Sequence, residues 1–414
     1  MTVDAGRATH GAFWAQIMNP TWLQKLAEVA GAFLKLGLTS FGGPVAHLGY
    51  FRTEFVEKRR WIDDQAYADV VALCQMLPGP ASSQVVFCLG MRRAGIAGAL
   101  LASLCFTLPS AVAMILFAYG VAGRGAVSGS GWLHGLKLCA VSVVGLAVWG
   151  MGTKLCPDWP RRLVALAVSA TVLLAPGSWI QLAAMAACAL AGSWIFADRQ
   201  PAPRADPALG AGHAWAAASL LTFGVLLVGL PLIARSNASR TVAVVDGFYR
   251  AGSMVFGGGH VVLPLLRAEV VPKGWIGDDA FMAGYGAAQA VPGPLFTFAG
   301  YLGTVIQGPP HAWAGGVLAL LAIFLPAWLL AGGALPFWHS LRGMGRAQGA
   351  LAGANAAVVG ILLAAFCRPV CTEAIRGPWD VLAAAVAALA LARLKAPAWL
   401  MVVLMAAAGQ WVLR

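Results

Sequence analysis

The sequence predicts an all-α polytopic membrane protein built from two inverted-topology homologous repeats with broken or re-entrant half-helices. Three observations predict it: a composition too apolar for water, residue matches at a near-constant offset, and paired Gly/Pro interruptions inside apolar segments. Of the 414 residues, 60% are hydrophobic and 11% charged, with mean hydropathy +0.76. A soluble domain carries about 25% charged residues, so a water-soluble enzyme is excluded. A disordered chain is excluded too, because such chains are polar and charge-rich. At about 20 residues per helical span, the length holds on the order of a dozen crossings at most.

In chain order, residues 1–21 form an N-terminal tail with no apolar core and cleavage site, so no signal peptide is expected. The first repeat, 22–197, opens with two amphipathic stretches, Trp22–Arg60 and Asp63–Arg93. They are cut at Phe41-Gly42-Gly43-Pro44 and at Pro78-Gly79-Pro80. Pro removes a backbone donor and clashes with the preceding turn, so no continuous helix is expected across these cuts. Apolar spans follow at 94–121, 133–152, 162–175 and 178–196, several of them short for a bilayer. Residues 198–241 are a linker with one extra span at 213–234. The second repeat, 242–414, has broken stretches at 242–274 and 278–306, cut at Phe256-Gly257-Gly258-Gly259-His260 and Pro292-Gly293-Pro294. Its spans are 312–335, 347–366, 379–393 and 397–413.

The repeat rests on residue matches. Phe33-x-Lys35-x-Gly37 matches Phe248-x-Arg250-x-Gly252, and Arg52-x-Glu54 matches Arg267-x-Glu269. Trp61-Ile62-x-Asp64 matches Trp275-Ile276-x-Asp278, and Gln75-x-x-Pro78-Gly79-Pro80 matches Gln289-x-x-Pro292-Gly293-Pro294. Leu108-Pro109 matches Leu325-Pro326, and every offset lies within 213–217. Five spans separate the two sets of broken segments, so the second repeat must enter the membrane upside down.

The net charge of +12 fits that inversion. The basic residues lie between apolar blocks instead of forming the stripe that nucleic acid requires, so no nucleic-acid partner is expected. With Lys58, Arg59, Arg60, Arg92 and Arg93 in the cytoplasm, Lys154, Arg161, Arg162, Arg199, Arg204, Arg342, Arg346, Arg393 and Lys395 also fall inside. Lys273, Arg124, Arg235, Arg240, Arg368 and Arg376 fall outside, as the positive-inside rule favours. An inner-membrane, multi-pass protein with a cytoplasmic N-terminus and a periplasmic C-terminus is expected, with a homodimer left open.

Inverted repeats with broken helices characterise secondary transporters, whose substrate sits near the midplane where the breaks meet. A half-helix that starts after a break aims free N–H groups and its positive dipole end at the cavity, which suits an oxyanion. Ala81-Ser82-Ser83-Gln84 adds hydroxyl and amide donors, whereas Leu295-Phe296-Thr297 occupies the matching position. The alternative is that Gly and Pro merely kink packed membrane helices. The expected substrate-binding set is Lys35, Gly42, Gly43, Pro44, Pro78, Gly79, Pro80, Ser82, Ser83, Arg250, Gly257, Gly258, Gly259, His260, Pro292, Gly293 and Pro294. A cation at the centre of a membrane helix costs about 2.5–3.5 kcal/mol, so the matched Lys35 and Arg250 either neutralise an anion or snorkel to headgroups.

For proton coupling or gating the candidates are Glu54, Arg52, Glu269, Arg267, Asp64 and Asp278, with a charged interfacial rim as the alternative. Arg52 and Glu54 do not share a helix face, nor do Arg267 and Glu269, so each is expected to pair with the other hairpin. Asp246, four residues before Arg250, can pair with it at helical spacing. His260 and His47 either serve an anion or titrate, or are satisfied structural histidines. Lys137 reads as a snorkelling residue. Most of the eight cysteines read as small buried hydrophobes, while Cys367 and Cys371 share a polar loop where a disulfide is open. No phosphate loop, His-Glu-x-x-His or Gly-x-Ser-x-Gly motif is present, so no catalytic residue, metal or cofactor is expected.

The residues Ser40-Phe41-Gly42-Gly43-Pro44-Val45-Ala46-His47, Glu57-x-Arg59-Arg60-Trp61-Ile62 and Leu77-Pro78-Gly79-Pro80-Ala81-Ser82-Ser83-Gln84 resemble the chromate ion transporter family in its long-chain, two-domain form. The second-half motifs and Asn355-Ala356-Ala357-Val358-Val359-Gly360 resemble it as well. The resemblance implies inner-membrane export of chromate and chromate resistance, with sulfate as the close structural analogue; export against sulfate or in exchange for protons is the first expectation. The alternatives are a sulfate or other oxyanion transporter running inward, or a membrane-embedded enzyme or assembly protein.

Overall fold

The computed structural model describes residues 20–122, 131–175, 177–197, 212–236, 239–256, 259–306, 308, 311–337 and 344–411. Gly257, Gly258, most of the tail and residues 198–211 and 237–238 of the linker lie outside them. Among the described residues every regular element is a helix. In the first repeat, α1 (Pro20–Thr39) breaks before α2 (Gly43–Arg52), which continues through a π-helical turn, Thr53–Lys58. Then come α3 (Asp64–Met76), α4 (Ala81–Ala122), α5 (Gly131–Leu155), α6 (Trp159–Leu174) and α7 (Ser178–Ile195). After α8 (His213–Ser236), the second repeat holds α9 (Arg240–Ser253), α10 (Val262–Val270), α11 (Asp278–Ala288), α12 (Phe298–Val305) and α13 (Ala312–Ala334). It ends with α14 (Gly345–Ala365), α15 (Pro378–Arg393) and α16 (Ala398–Trp411).

Local chemistry sets these boundaries. The Asp63 carboxylate caps α3 by accepting from Ala66 N at 2.8 Å, and Asp158 caps α6 through Arg161 N at 2.9 Å. Pro78 and Pro80 end α3, with Leu77 already extended at ψ 145°. Within α4, Ala94 and Gly95 leave helical geometry and divide the helix into limbs 81–93 and 96–122.

The broken segments re-enter. Cys74 Sγ lies 3.9 Å from Cys88 Sγ, and Arg92 Nε donates to Trp61 O at 3.5 Å, so the stretch 64–93 leaves on the side where it came in. In the second repeat Tyr301 OH donates to Ala280 O at 2.7 Å and the Phe281 and Phe298 rings stand 5.1 Å apart, the same arrangement. The Phe33 and Phe55 rings, 4.8 Å apart, close the hairpin of α1 and α2, and Arg250 to Glu269 at 3.1 Å closes that of α9 and α10.

The core is in two interlocked parts. One holds the first-repeat hairpins, with Phe33, Phe51, Phe55 and Phe106 fully buried, and also takes Ala331 and Ala334 from α13. The other holds Phe248, Phe281, Phe298 and Tyr301, and takes Met114 and Ala118 from α4. Along α4 the chain passes the first core at Ala102 and Phe106 and then the second; along α13 it passes the second at Ala319 and Ile323 and then the first. Equivalent helices therefore run in opposite directions, which is the inversion expected from the span count.

Among the described residues five helices are long and apolar enough to cross a bilayer: Ala81–Val121, Gly131–Leu155, His213–Ser236, Ala312–Phe337 and Gly345–Ala374. At 1.5 Å per residue, α16 with 14 residues reaches only about 21 Å, short of the hydrocarbon thickness of about 30 Å. Trp159, Trp179, Trp194, Trp313, Trp379 and Trp411 are exposed at helix ends, the aromatic pattern of membrane–water interfaces. Lys137 departs from the snorkelling expectation. It is 5% exposed and pairs with Asp279, because the first half of α5 is buried in the bundle and α11 brings Asp279 against it. Cys367 and Cys371 are free thiols.

Candidate functional site

Four hairpin tips meet at the centre, and their backbones exchange hydrogen bonds reciprocally. Gly79 N donates to Val255 O at 2.7 Å, and Gly293 N donates to Ser40 O at 2.9 Å. Each Pro-Gly-Pro turn thus binds the residue just ahead of the other repeat's Gly-rich break. Both glycines are required: φ is 120° at Gly79 and 95° at Gly293, in the region L side chains avoid. A Cβ there would lie 2.9 Å from Gln84 Nε2 or from Ser110 Oγ. A Cβ on Gly259 would stand 3.4 Å from Pro44 and 3.6 Å from Leu295, so the third tip touches the first and the fourth.

A cavity of about 550 Å³ opens from this junction. Phe41, Gly42, Gly43, Pro44, His260, Gln289 and Gly293 line it, together with the exposed Tyr50 and Lys395. The N-terminus of α2 starts on its wall with no side-chain cap. His260 is held through Nδ1 to Tyr285 OH at 3.0 Å, and His47 Nε2 lies 3.2 Å from Ser40 O. Ser82 and Ser83 are 2% exposed behind the second tip; Ser83 Oγ has no partner, whereas its counterpart Thr297 donates to Pro294 O at 2.8 Å. Pro78, Pro80, Pro292 and Pro294 frame the two tips and leave the glycine N–H groups as the donors there. Gly257 and Gly258 lie outside the described residues.

The cations expected at the site carry carboxylate partners. Lys35, two turns before the first tip, reaches Glu54 at 3.4 Å with its side chain 57% exposed, and Arg59 holds the other Glu54 oxygen at 2.8 Å. In the second repeat Arg250, 8% exposed, is bidentate to Asp246 at 3.0 and 2.7 Å and meets Glu269 at 3.1 Å, while Lys273 meets Glu269 at 3.0 Å. The Asp246 pairing at helical spacing is as expected. Arg52 binds Asp64 at 2.7 Å and Arg267 binds Asp278 at 2.6 Å, each joining the two hairpins of one repeat. Glu54 and Glu269 instead pair within their own hairpins. Three of these cation–carboxylate pairs recur at matching positions: Lys35–Glu54 with Arg250–Glu269, Arg59–Glu54 with Lys273–Glu269, and Arg52–Asp64 with Arg267–Asp278.

Sequence patterning left some residues unassigned. Gln289, on the cavity wall, was visible as one of a repeat-matched pair with Gln75. Glu373, 3.1 Å from Arg267, and the buried His134–Asp380 contact at 2.7 Å join residues over a hundred positions apart and leave no local pattern. A second cavity, about 640 Å³, is lined by Gln181, Pro264, Arg267, Arg368 and Glu373 and touches none of the four tips. Arg250, Leu182, Leu265 and Glu269 line a nearly filled space of about 10 Å³ next to Met254, just before the third tip. Among the described residues no cluster of His, Cys, Asp and Glu could hold a metal.

A membrane-embedded pair of inverted repeats whose broken helices meet at an internal cavity defines a transport protein, and no enzyme. The model of the family described as Chromate transporter matches residues 27–193 and 242–410, once per repeat. The chain belongs to the chromate transporter family. It is 29% identical over 343 residues to a chromate transport protein of Pseudomonas aeruginosa, covering 81% of this chain and 79% of that one. It is 27% identical over 351 residues to a chromate transport protein of Cupriavidus metallidurans, covering 82% and 81%. An uncharacterized transporter of Bacillus subtilis is 28% identical over 149 residues, 29% of this chain and 76% of the relative. No solved structure matches the chain.

Proposed function

We propose that this protein is a secondary transporter that exports chromate across the inner membrane and so confers chromate resistance. The observation that carries this reading is the reciprocal pair of hydrogen bonds, Gly79 to Val255 and Gly293 to Ser40, which gathers four helix breaks beside one cavity. Unwound backbone at such depth is tolerated only where protein buries it or a wet cavity solvates it. The dianion binds at this junction among Gly42, Gly43, Pro44, His260 and Gly293, next to the uncapped start of α2. Sulfate, a tetrahedral dianion of the same charge, competes for the same donors.

Lys35 and Arg250 take part through their carboxylates. While Glu54 is ionised it holds Lys35, and a proton on it releases that cation toward the anion; Arg250, bidentate to Asp246 as well, stays held when Glu269 takes a proton. Protons and chromate are coupled in this way. The cavity at the tips is the open one, and the second cavity touches none of them. Transport exchanges the two arrangements, as the inverted repeats allow. With the first-repeat hairpins entering from the cytoplasm, the open cavity faces inward and the C-terminus lies in the periplasm.

Everted vesicles containing the protein should accumulate labelled chromate faster under an imposed pH gradient, and excess sulfate should slow uptake. Lys35→Ala with Arg250→Ala should lower uptake at least tenfold. Unchanged uptake in that double variant contradicts the role of the cations. Faster uptake of sulfate than of chromate reassigns the substrate.

A further inference from the structure

The cavity beneath the hairpin tips has a charge pattern that its role as a binding site does not by itself require. No carboxylate lines it, and Lys395 is the one formally charged side chain on its wall among the described residues. Lys395 is exposed, pairs with no carboxylate, and lines the cavity from the turn between α15 and α16, as Gly42, Gly43 and Gly293 do from the tips. Several hairpin cations are compensated, Lys35 and Arg59 by Glu54, Arg52 by Glu57 and Asp64, Arg250 by Asp246 and Glu269. Lys58 and Arg60, which carry no ion pair among the described residues, lie off the cavity wall.

The backbone adds an independent observation. Lys395 has φ 52°, the left-handed conformation that follows many helix C-termini and that glycine adopts most easily. The turn is held by Ala396 N donating to Ala390 O at 3.2 Å. A lysine in place of glycine keeps a strained backbone at the mouth of a cavity, a location where strain accompanies function.

We infer that Lys395 is the capture residue for the transported oxyanion: it draws the dianion into the mouth of the cavity and passes it inward to the tips. The inference rests on the transport reading above and adds to it the residue that sets affinity from one face. A lone cation in a low-dielectric cleft focuses the field and raises the local anion concentration. An uncompensated ammonium near bulk solvent is also screened by salt. It therefore acts on capture, not on the translocation step, and only for anion arriving from its own side.

The test is chromate uptake by the full chain in everted and right-side-out vesicles, at low and high ionic strength. Lys395→Gln should raise KM about tenfold for anion approaching the Lys395 face, with kcat unchanged, and should flatten the salt dependence of kcat/KM. KM from the other face should stay as in the wild type. Lys395→Arg should restore the wild-type values. Lys395→Gly, which removes the charge while suiting the left-handed backbone, should behave like Lys395→Gln and rules out misfolding as the cause. Unchanged KM and salt dependence from both faces, or an equal change from both, overturns the role of Lys395. Wild-type vesicles that carry no oxyanion overturn the transport reading itself, and this result is distinguishable from the first because the variant is not involved.

Discussion

Arg250 and Lys35 occupy equivalent positions in the two repeats, yet their surroundings differ. Arg250 is buried and answered by two carboxylates in its hairpin, whereas Lys35 has only Glu54, because Gly31 stands where the second repeat has Asp246. Removing one partner of a buried pair costs about 3–5 kcal/mol, whereas an exposed pair is worth about 1 kcal/mol or less. Glu269→Gln should therefore lower the melting temperature of the detergent-purified protein clearly more than Glu54→Gln does, measured by thermal unfolding. Equal shifts would mean that the two pairs share one environment. Lys137 shows the limits of reading a residue from its own neighbourhood. Its place near the start of a span suggests snorkelling, while Asp279, which pairs with it, lies 142 positions away.

At the scale of elements, the hairpins follow from punctuation that is visible in the chain. Gly42-Gly43-Pro44, Pro78-Gly79-Pro80 and Pro292-Gly293-Pro294 mark breaks because they lack donors or need positive φ, and the structure breaks there. The boundary between the second hairpin and the long span was equally legible from Arg92-Arg93 ahead of Gly95. Composition alone did not tell a broken span from a re-entrant hairpin, since both use the same half-helices. Contacts such as Arg92 to Trp61 and Tyr301 to Ala280 decide it, and they depend on tertiary packing. Gly79→Ala and Gly293→Ala should each destabilise the protein by roughly 1–3 kcal/mol, through overpacking and backbone strain. Gly31→Ala, on a helix with no atom within 4 Å of the added Cβ, should be neutral or stabilising by up to about 1 kcal/mol. Thermal unfolding of the three variants checks the contrast, and a loss at Gly31 matching that at Gly79 would contradict it.

The whole molecule is two interlocked copies of one unit, each lending the end of its long helix to the other's core. α4 supplies Met114 and Ala118 to the second core, and α13 supplies Ala331 and Ala334 to the first. Neither repeat can then be expected to keep its core when cut from the other. The repeat itself was legible from matched residues at a steady offset, and its inversion from an odd number of intervening spans. Single cysteines placed at Arg92 and at Gln307, in a background free of native cysteines, should label from opposite membrane faces. Labelling from one face would refute the inversion.

The central claim is that chromate crosses where the four tips meet, and flux through purified protein tests it most directly. Proteoliposomes holding the full chain should take up labelled chromate well above protein-free liposomes, with sulfate competing. Gly79→Ala with Gly293→Ala, confirmed as monodisperse, should reduce that flux at least tenfold. Flux no faster than in protein-free liposomes, or full flux in the double variant, would contradict the account.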